Sequence, residues 1–285
     1  MTLAMQRSGD RLSWPQLLLP WEIVRALASH GTLLRQFTLR DILARYRGSY
    51  LGVFWSLLRP LGMLTVYVVV FGFILQPQLG SGAGGSKLDF VLSLFCGLIL
   101  FDFFAESLGR APTLILSRPN FVTKVVFPLE ILPLSAVAAA LLQMVISFVP
   151  FFCGVLLVRG SVPATVALLP LVLVPLICLA LGLSWLLSSL GVFVRDINAA
   201  VPLLLVVMMF ASAIFYSLSS VPPQFRFFFD LNPLAALVDD ARSVVLLGRA
   251  PAWGRFGAVF AAGIVVAASG YAFFMRTKRG FADVI

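Results

Sequence analysis

Six stretches of this chain run for about twenty residues or more with few charges, which is the length a helix needs to cross the hydrocarbon of a bilayer. They fall at about 50–76, interrupted by Arg59, then at 88–109, 128–158, 162–193, 197–219 and 255–275. Inside lipid the backbone must satisfy its own hydrogen bonds, so each run is read as a helix. The third and fourth exceed the minimum, which predicts tilt or a kink. Pro163, Pro170 and Pro175 predict a broken start to the fourth. Of the 285 residues, 60% are hydrophobic and 12% charged. A soluble domain carries about a quarter charged residues and could not coat itself with so few. The expected fold class is an all-α integral membrane protein with six transmembrane helices.

The formal charge of +9 does not point to nucleic acid, because the basic residues sit at the ends of apolar runs and not on one polar domain. Such placement is a topology signal: cytoplasmic loops hold the excess of Lys and Arg. With an even number of spans, residues 1–59, 110–124, Arg195, Arg276, Lys278 and Arg279 share one face, with fifteen of the 21 Lys and Arg residues. Lys87, Arg159, Arg226, Arg242, Arg249 and Arg255 take the other. Both termini are therefore expected in the cytoplasm. Residues 1–11 are polar and the following stretch is broken by Pro15, Pro20, Glu22 and Arg25, so no cleavable signal peptide is expected. Cys96, Cys153 and Cys178 lie within apolar runs and read as small core residues; with His30 the only histidine, no metal site is expected.

Two segments break the pattern of plain spans. Leu39, Ile42, Leu43 and Tyr46 share one face of a helix, with Arg40, Asp41, Arg45 and Arg47 on the other. This is an amphipathic interface helix lying at headgroup level, an arrangement that residues 12–29 extend with Trp14 and Trp21. Residues 1–48 are expected to form this cytoplasmic interface region and 49–285 the transmembrane domain. Between 220 and 254, Pro222, Pro223, Pro233 and Pro251 stand among Asp230, Asp239, Asp240 and Arg242, yet 225–247 is largely apolar. Two short re-entrant helices entering from the outer face fit that composition. No internal repeat is evident.

Chemistry is harder to place. The glycine-rich stretch from Gly80 to Lys87 mimics a phosphate-binding loop, but Ser86 and Lys87 stand in reverse order, and the stretch follows a membrane helix on the outer face. A loop is expected there, and no ATPase site in this chain. Asp102 and Glu106 lie one turn apart in the second span. They either line a polar path or pair with Arg59 or Arg110, and structural pairing is the preferred reading. Two carboxylates alone would also suit a glycosidase, but no soluble sugar-cleaving cleft accompanies them. Tyr46, Tyr50, Phe54, Trp55 and Tyr67 are candidates for stacking on sugar rings near the first span.

Several segments together resemble the ABC-2-type polysaccharide export permeases. RYRGSYLGVFWSLLRP at 45–60 is similar to the family's entry into its first span, and NFVTKVVFPLEILP at 120–133 to its loop leading into the third. SLGVFVRD at 189–196, Asn232–Pro233 and KRGFAD at 278–283 match later landmarks. The resemblance covers the chain from about residue 30 and is nearest to O-antigen (lipopolysaccharide) exporters, with capsule and teichoic-acid exporters as relatives. Arg59, before Pro60, departs from the Asn or Glu of many relatives.

The resemblance implies a half-transporter of the bacterial inner membrane: a homodimer forming a channel, with two copies of a separate subunit that binds ATP and Mg. No cofactor is implied in this chain. The substrate implied is a polysaccharide on undecaprenyl pyrophosphate. Arg40, Arg45, Arg47 and Arg59 would meet its headgroup at the entrance. The loop at 110–127, with Arg110, Arg118, Asn120 and Lys124, would couple to the ATPase. The segment 222–247, with Pro222, Pro223, Asn232, Pro233, Asp239, Asp240 and Arg242, would form the outer gate. A membrane-embedded glycosyltransferase or a proton-coupled flippase acting on the same lipid is the alternative from another class. An adjacent gene for a Walker-motif ATPase would discriminate between them.

Overall fold

A computed structural model describes residues 30–74, 87–123, 127–216 and 222–285, and among these residues the protein is entirely helical. The stretches at 12–29 and 80–86, and Lys124, lie outside the described residues. In chain order the helices are α1 (Gly31–Tyr46), α2 (Trp55–Tyr67), α3 (Lys87–Gly109), α4 (Pro119–Thr123), α5 (Ile131–Arg159), α6 (Leu169–Phe193) and α7 (Ile197–Ala211). They are followed by α8 (Pro223–Asp230), α9 (Pro233–Arg242), α10 (Trp253–Thr277) and α11 (Phe281–Val284).

Among the described residues, five segments are long and apolar enough to cross a membrane: Gly52–Phe71, Lys87–Thr113, Ile131–Arg159, Ala164–Phe193 and Trp253–Val284. The sixth apolar run is different. Its helix, α7, has 15 residues, about 22 Å at 1.5 Å per residue, which is short of a ~30 Å hydrocarbon core. The fourth span has the broken start that its prolines predict: a 3-10 turn over Ala164–Leu168 leads into α6, with Pro170 in its first turn.

The bundle is built around α3, whose buried residues run along most of its length and which packs against α2, α5, α6, α7 and α9. The broadest helix pair is α6 with α10. Gly182 and Gly270 oppose each other there, and a Cβ on Gly270 would run into the carbonyl of Gly182. In lipid, helices gain little hydrophobic energy from meeting, so close backbone approach and dispersion contacts carry their association. Ser189 and Thr277 share a 2.5 Å hydroxyl contact near the same seam.

Basic and acidic side chains gather at two opposite ends. At one end α1 packs along α5, and Phe37, Phe121 and Phe127 form an aromatic cluster with ring centroids 4.8–5.6 Å apart. Lys278 Nζ lies 3.6 Å from Glu130 Oε2, and Phe281 is buried against Phe193 and Phe274. At the other end Arg159 Nε meets Asp89 Oδ1 at 2.7 Å, and Arg255 Nη2 meets Asp239 Oδ2 and Asp240 Oδ1 at 2.7 and 2.8 Å. Of the residues sorted by charge, Lys278 lies at the first of these ends, and Arg159 and Arg255 lie at the second.

Candidate transport site and coupling surface

Polar residues of the membrane-level core meet in one cavity of about 470 Å³ bounded by α2, α3 and α5. Its polar walls are Arg59 and Tyr67 from α2, Asp102 and Glu106 from α3, Gln143 and Ser147 from α5, with Arg45 and Arg110 at the basic end. Helical spacing puts Asp102 and Glu106 on one face of α3. Glu106 is in an ion pair, with Arg45 of α1 in place of Arg59 or Arg110, while Asp102 and Arg59 line the same cavity. Gln143 Nε2 donates to the Ser56 carbonyl at 2.8 Å and fixes α5 against α2 beside it.

The interface helix divides its polar residues between two directions. Leu39 and Leu43 are about half exposed, as lipid-facing residues would be, and Asp41 is buried. Arg118 Nη2 donates to Asp41 Oδ1 at 2.8 Å. Burial draws the Arg118 guanidinium below its ordinary range, with the Asp41 charge opposing. Arg40 stays at the surface, its guanidinium 4.2 Å from the centre of the Phe37 ring. With Arg47, Leu39, Leu43 and Val53 it lines a groove of about 680 Å³ between α1 and the start of α2. The four arginines singled out for the entrance are thus split: Arg40 and Arg47 face this groove, Arg45 and Arg59 the cavity.

The aromatic candidates do not form one cluster. Tyr67 lines the cavity, its ring 6.4 Å from that of Phe95. Tyr50, Phe54 and Trp55 are exposed, and the Trp55 indole donates to Ser49 Oγ at 3.0 Å. Tyr46 closes α1. In the loop between α3 and α5, Leu114 and Ile115 are buried anchors, whereas Asn120, on α4, is exposed. Arg110 turns to the cavity and Arg118 to Asp41. The sequence reading missed Asp41, although it is the lone carboxylate among the three arginines of α1.

The proline-rich segment forms two unlike helices. In α8, Pro222 precedes the helix and Pro223 opens it, and Phe227 and Phe228 are exposed. In α9, Pro233 sits in the first turn and nearly every residue from Leu234 to Ala241 is buried against α3, α6 and α10. Asn232 Oδ1 accepts from the Leu234 amide at 3.0 Å, the expected N-cap role. Asp239 and Asp240 hold Arg255, and Arg242 donates to the carbonyls of Ser93, Ala213 and Ile214 at 2.9, 2.9 and 2.6 Å.

Residues 32–246 match the family model described as ABC-2 type transporter. The chain is 29% identical over 266 residues to the O-antigen export system permease protein RfbA of Myxococcus xanthus, covering 92% of this chain and 99% of that relative. It is 26% identical over 255 residues to the protein of the same description from Klebsiella pneumoniae, covering 89% and 95%. It is also 27% identical over 215 residues to the polysialic acid transport protein KpsM of Escherichia coli, covering 74% and 80%.

Proposed function

The chain belongs to the ABC-2 type transporter family, and from that premise we propose that it is the channel-forming subunit of an exporter of lipid-linked polysaccharide, O-antigen in the first instance. Two copies form the channel in a bacterial inner membrane, and a separate ATP-binding subunit docks on each. The chain crosses six times with both termini in the cytoplasm: α7 and the α8–α9 hairpin together complete one crossing. The hairpin then stands at the periplasmic end as a re-entrant pair. ATP and Mg belong to the partner subunit. This chain acts by moving its helices.

The observation that carries this reading is the convergence of the polar cavity with the basic loop and α1 at one end of the bundle. Arg45 joins α1 to Glu106 in the cavity wall, and Asp41 joins the same helix to Arg118 of the loop. A push on that loop is therefore delivered to α3 through two ion pairs on one helix. An anionic headgroup arriving from the cytoplasm meets Arg40 and Arg47 at the groove before Arg59 in the cavity. The O-antigen relatives match a larger share of the chain than the polysialic acid relative, which favours the first polymer class.

Deletion of the chain in its native host tests the proposal. Surface polysaccharide is expected to disappear while lipid-linked polymer accumulates inside, with export restored only when both this chain and its ATPase are supplied. Unchanged surface polymer, or export without any ATPase, would refute it. Loss of a capsule in place of the O-antigen ladder would reassign the polymer.

A further inference from the structure

A helix that ends at membrane depth leaves its last carbonyls without partners, and lipid offers none. On the six-crossing reading, helix α7 ends in this way at Ala211, and the chain turns through Ser212, Ala213 and Ile214, all buried. Two of the freed acceptors are met locally, Met208 by the Ser212 hydroxyl at 2.6 Å and Phe210 by the Tyr216 hydroxyl at 2.5 Å, and those at 211, 213 and 214 are met by the hairpin. Asn232 Nδ2 donates to the Ala211 carbonyl at 3.0 Å and lies 3.2 Å from Ser212 Oγ. Arg242 takes the next two, donating to Ala213 and Ile214 while its Nε reaches Ser93 of α3. A cation there also opposes the negative end of the α7 dipole.

The surroundings are shaped to this contact. Ala213 has φ +51, a left-handed conformation that a residue with a Cβ adopts only at some strain. Gly97 of α3 leaves the space: a Cβ there would lie 3.0 Å from Arg242 Nη2 and 3.2 Å from Val238 Cγ1. Asn232 works on both sides at once, capping the start of α9 with its oxygen and the end of α7 with its nitrogen. Helix α9 is further tied to α10 through Arg255.

We propose that Asn232 and Arg242 are positioning residues that clamp α7 and α9 into one body with α3, so that opening at the hairpin end is carried by α8 alone, turning about Asn232. This rests on the export reading above and divides the outer gate into a fixed half and a moving half. Exposed Phe227, Phe228 and Leu231 on the α8 side contrast with the buried row of α9.

Two cysteine pairs, joined by a short bifunctional thiol reagent in cells bearing the full chain, test the division. Asp239→Cys with Arg255→Cys bridges α9 to α10, and cross-linking is expected to leave surface polysaccharide at the level the same double variant shows before the reagent is added. Tyr216→Cys with Phe229→Cys bridges the turn after α7 to α8, where the rings stand 5.8 Å apart; cross-linking there is expected to abolish export until a reducible linker is cleaved. Asn232→Ala should lower the cross-linking yield of the second pair and leave that of the first unchanged, a readout independent of export. Export blocked by the first pair, export insensitive to the second, or equal loss of yield at both pairs would overturn the clamp. If deletion of the chain leaves the surface polymer unchanged, the export reading fails, and the yields still judge the clamp.

Discussion

Arg118 Nη2 donates to Asp41 Oδ1 at 2.8 Å and so joins segments 77 residues apart, with the carboxylate buried to 3% exposure and the guanidinium to 17%. Removing Arg118 leaves the buried Asp41 carboxylate with only the surface guanidinium of Arg40, 3.5 Å away. Arg118→Met is expected to destabilise the protein by about 2–3 kcal/mol. The double variant with Asp41→Asn is expected to regain part of that loss. Thermal unfolding of purified protein in detergent, read as a double-mutant cycle, measures it; additive effects would remove the pair from the coupling route.

The second pair on the same helix should behave as a transmitter. Arg45→Glu and Glu106→Arg are each expected to reduce export strongly, and the charge-exchanged double variant to restore part of it. Surface polymer in a strain lacking the native copy is the readout. Both side chains are only about one-fifth exposed, so an effect on the order of 1–3 kcal/mol is expected where an exposed pair would give less than 1.

The contact of α6 with α10 sets a steric test within a single helix. Gly270→Ala drives a methyl into the Gly182 carbonyl and is expected to cost about 1–3 kcal/mol through backbone displacement. Gly257→Ala, with nothing within 4 Å of the added carbon, is expected to be neutral or to stabilise by up to about 1 kcal/mol. Unfolding midpoints of the two variants decide it, and equal midpoints would contradict the packing.

Ala213 offers a gain. Replacement by glycine removes the penalty of its left-handed backbone and is expected to stabilise by about 1 kcal/mol, whereas Ala213→Val is expected to destabilise by more. Glycine is the usual residue where a helix ends with a left-handed turn. A fall in unfolding temperature for Ala213→Gly would show that the alanine methyl contributes more packing than strain.

Much of this architecture was legible in the chain because apolar run length reports span length directly. Five of the six runs became helices long enough to cross, and the prolines marked the broken start before α6. The run at 197–219 gives a helix of only 15 residues, and no glycine or proline flags its end. The helix stops where Ser212 bonds back to the Met208 carbonyl at 2.6 Å and Ala213 turns left-handed. On α1, Leu39 and Leu43 are exposed, and periodicity says nothing about which polar residue turns inward. Asp41 and Arg45 find partners on distant segments, at Arg118 and Glu106, and local spacing carries no record of such a meeting. Of the site, the carboxylates of α3 were visible as charges within a span, but their partners were not.

The capping of α7 by Asn232 and Arg242 also fixes an order of assembly. When α7 enters the bilayer, the residues that will accept its exposed end are 21 to 31 positions downstream and have not yet left the ribosome. Until then the carbonyls at 211, 213 and 214 face either lipid or whatever water the insertion machinery admits. A nascent α7 therefore carries an unmet hydrogen-bonding demand until the second hairpin helix arrives, and a truncation that ends before residue 232 never meets it.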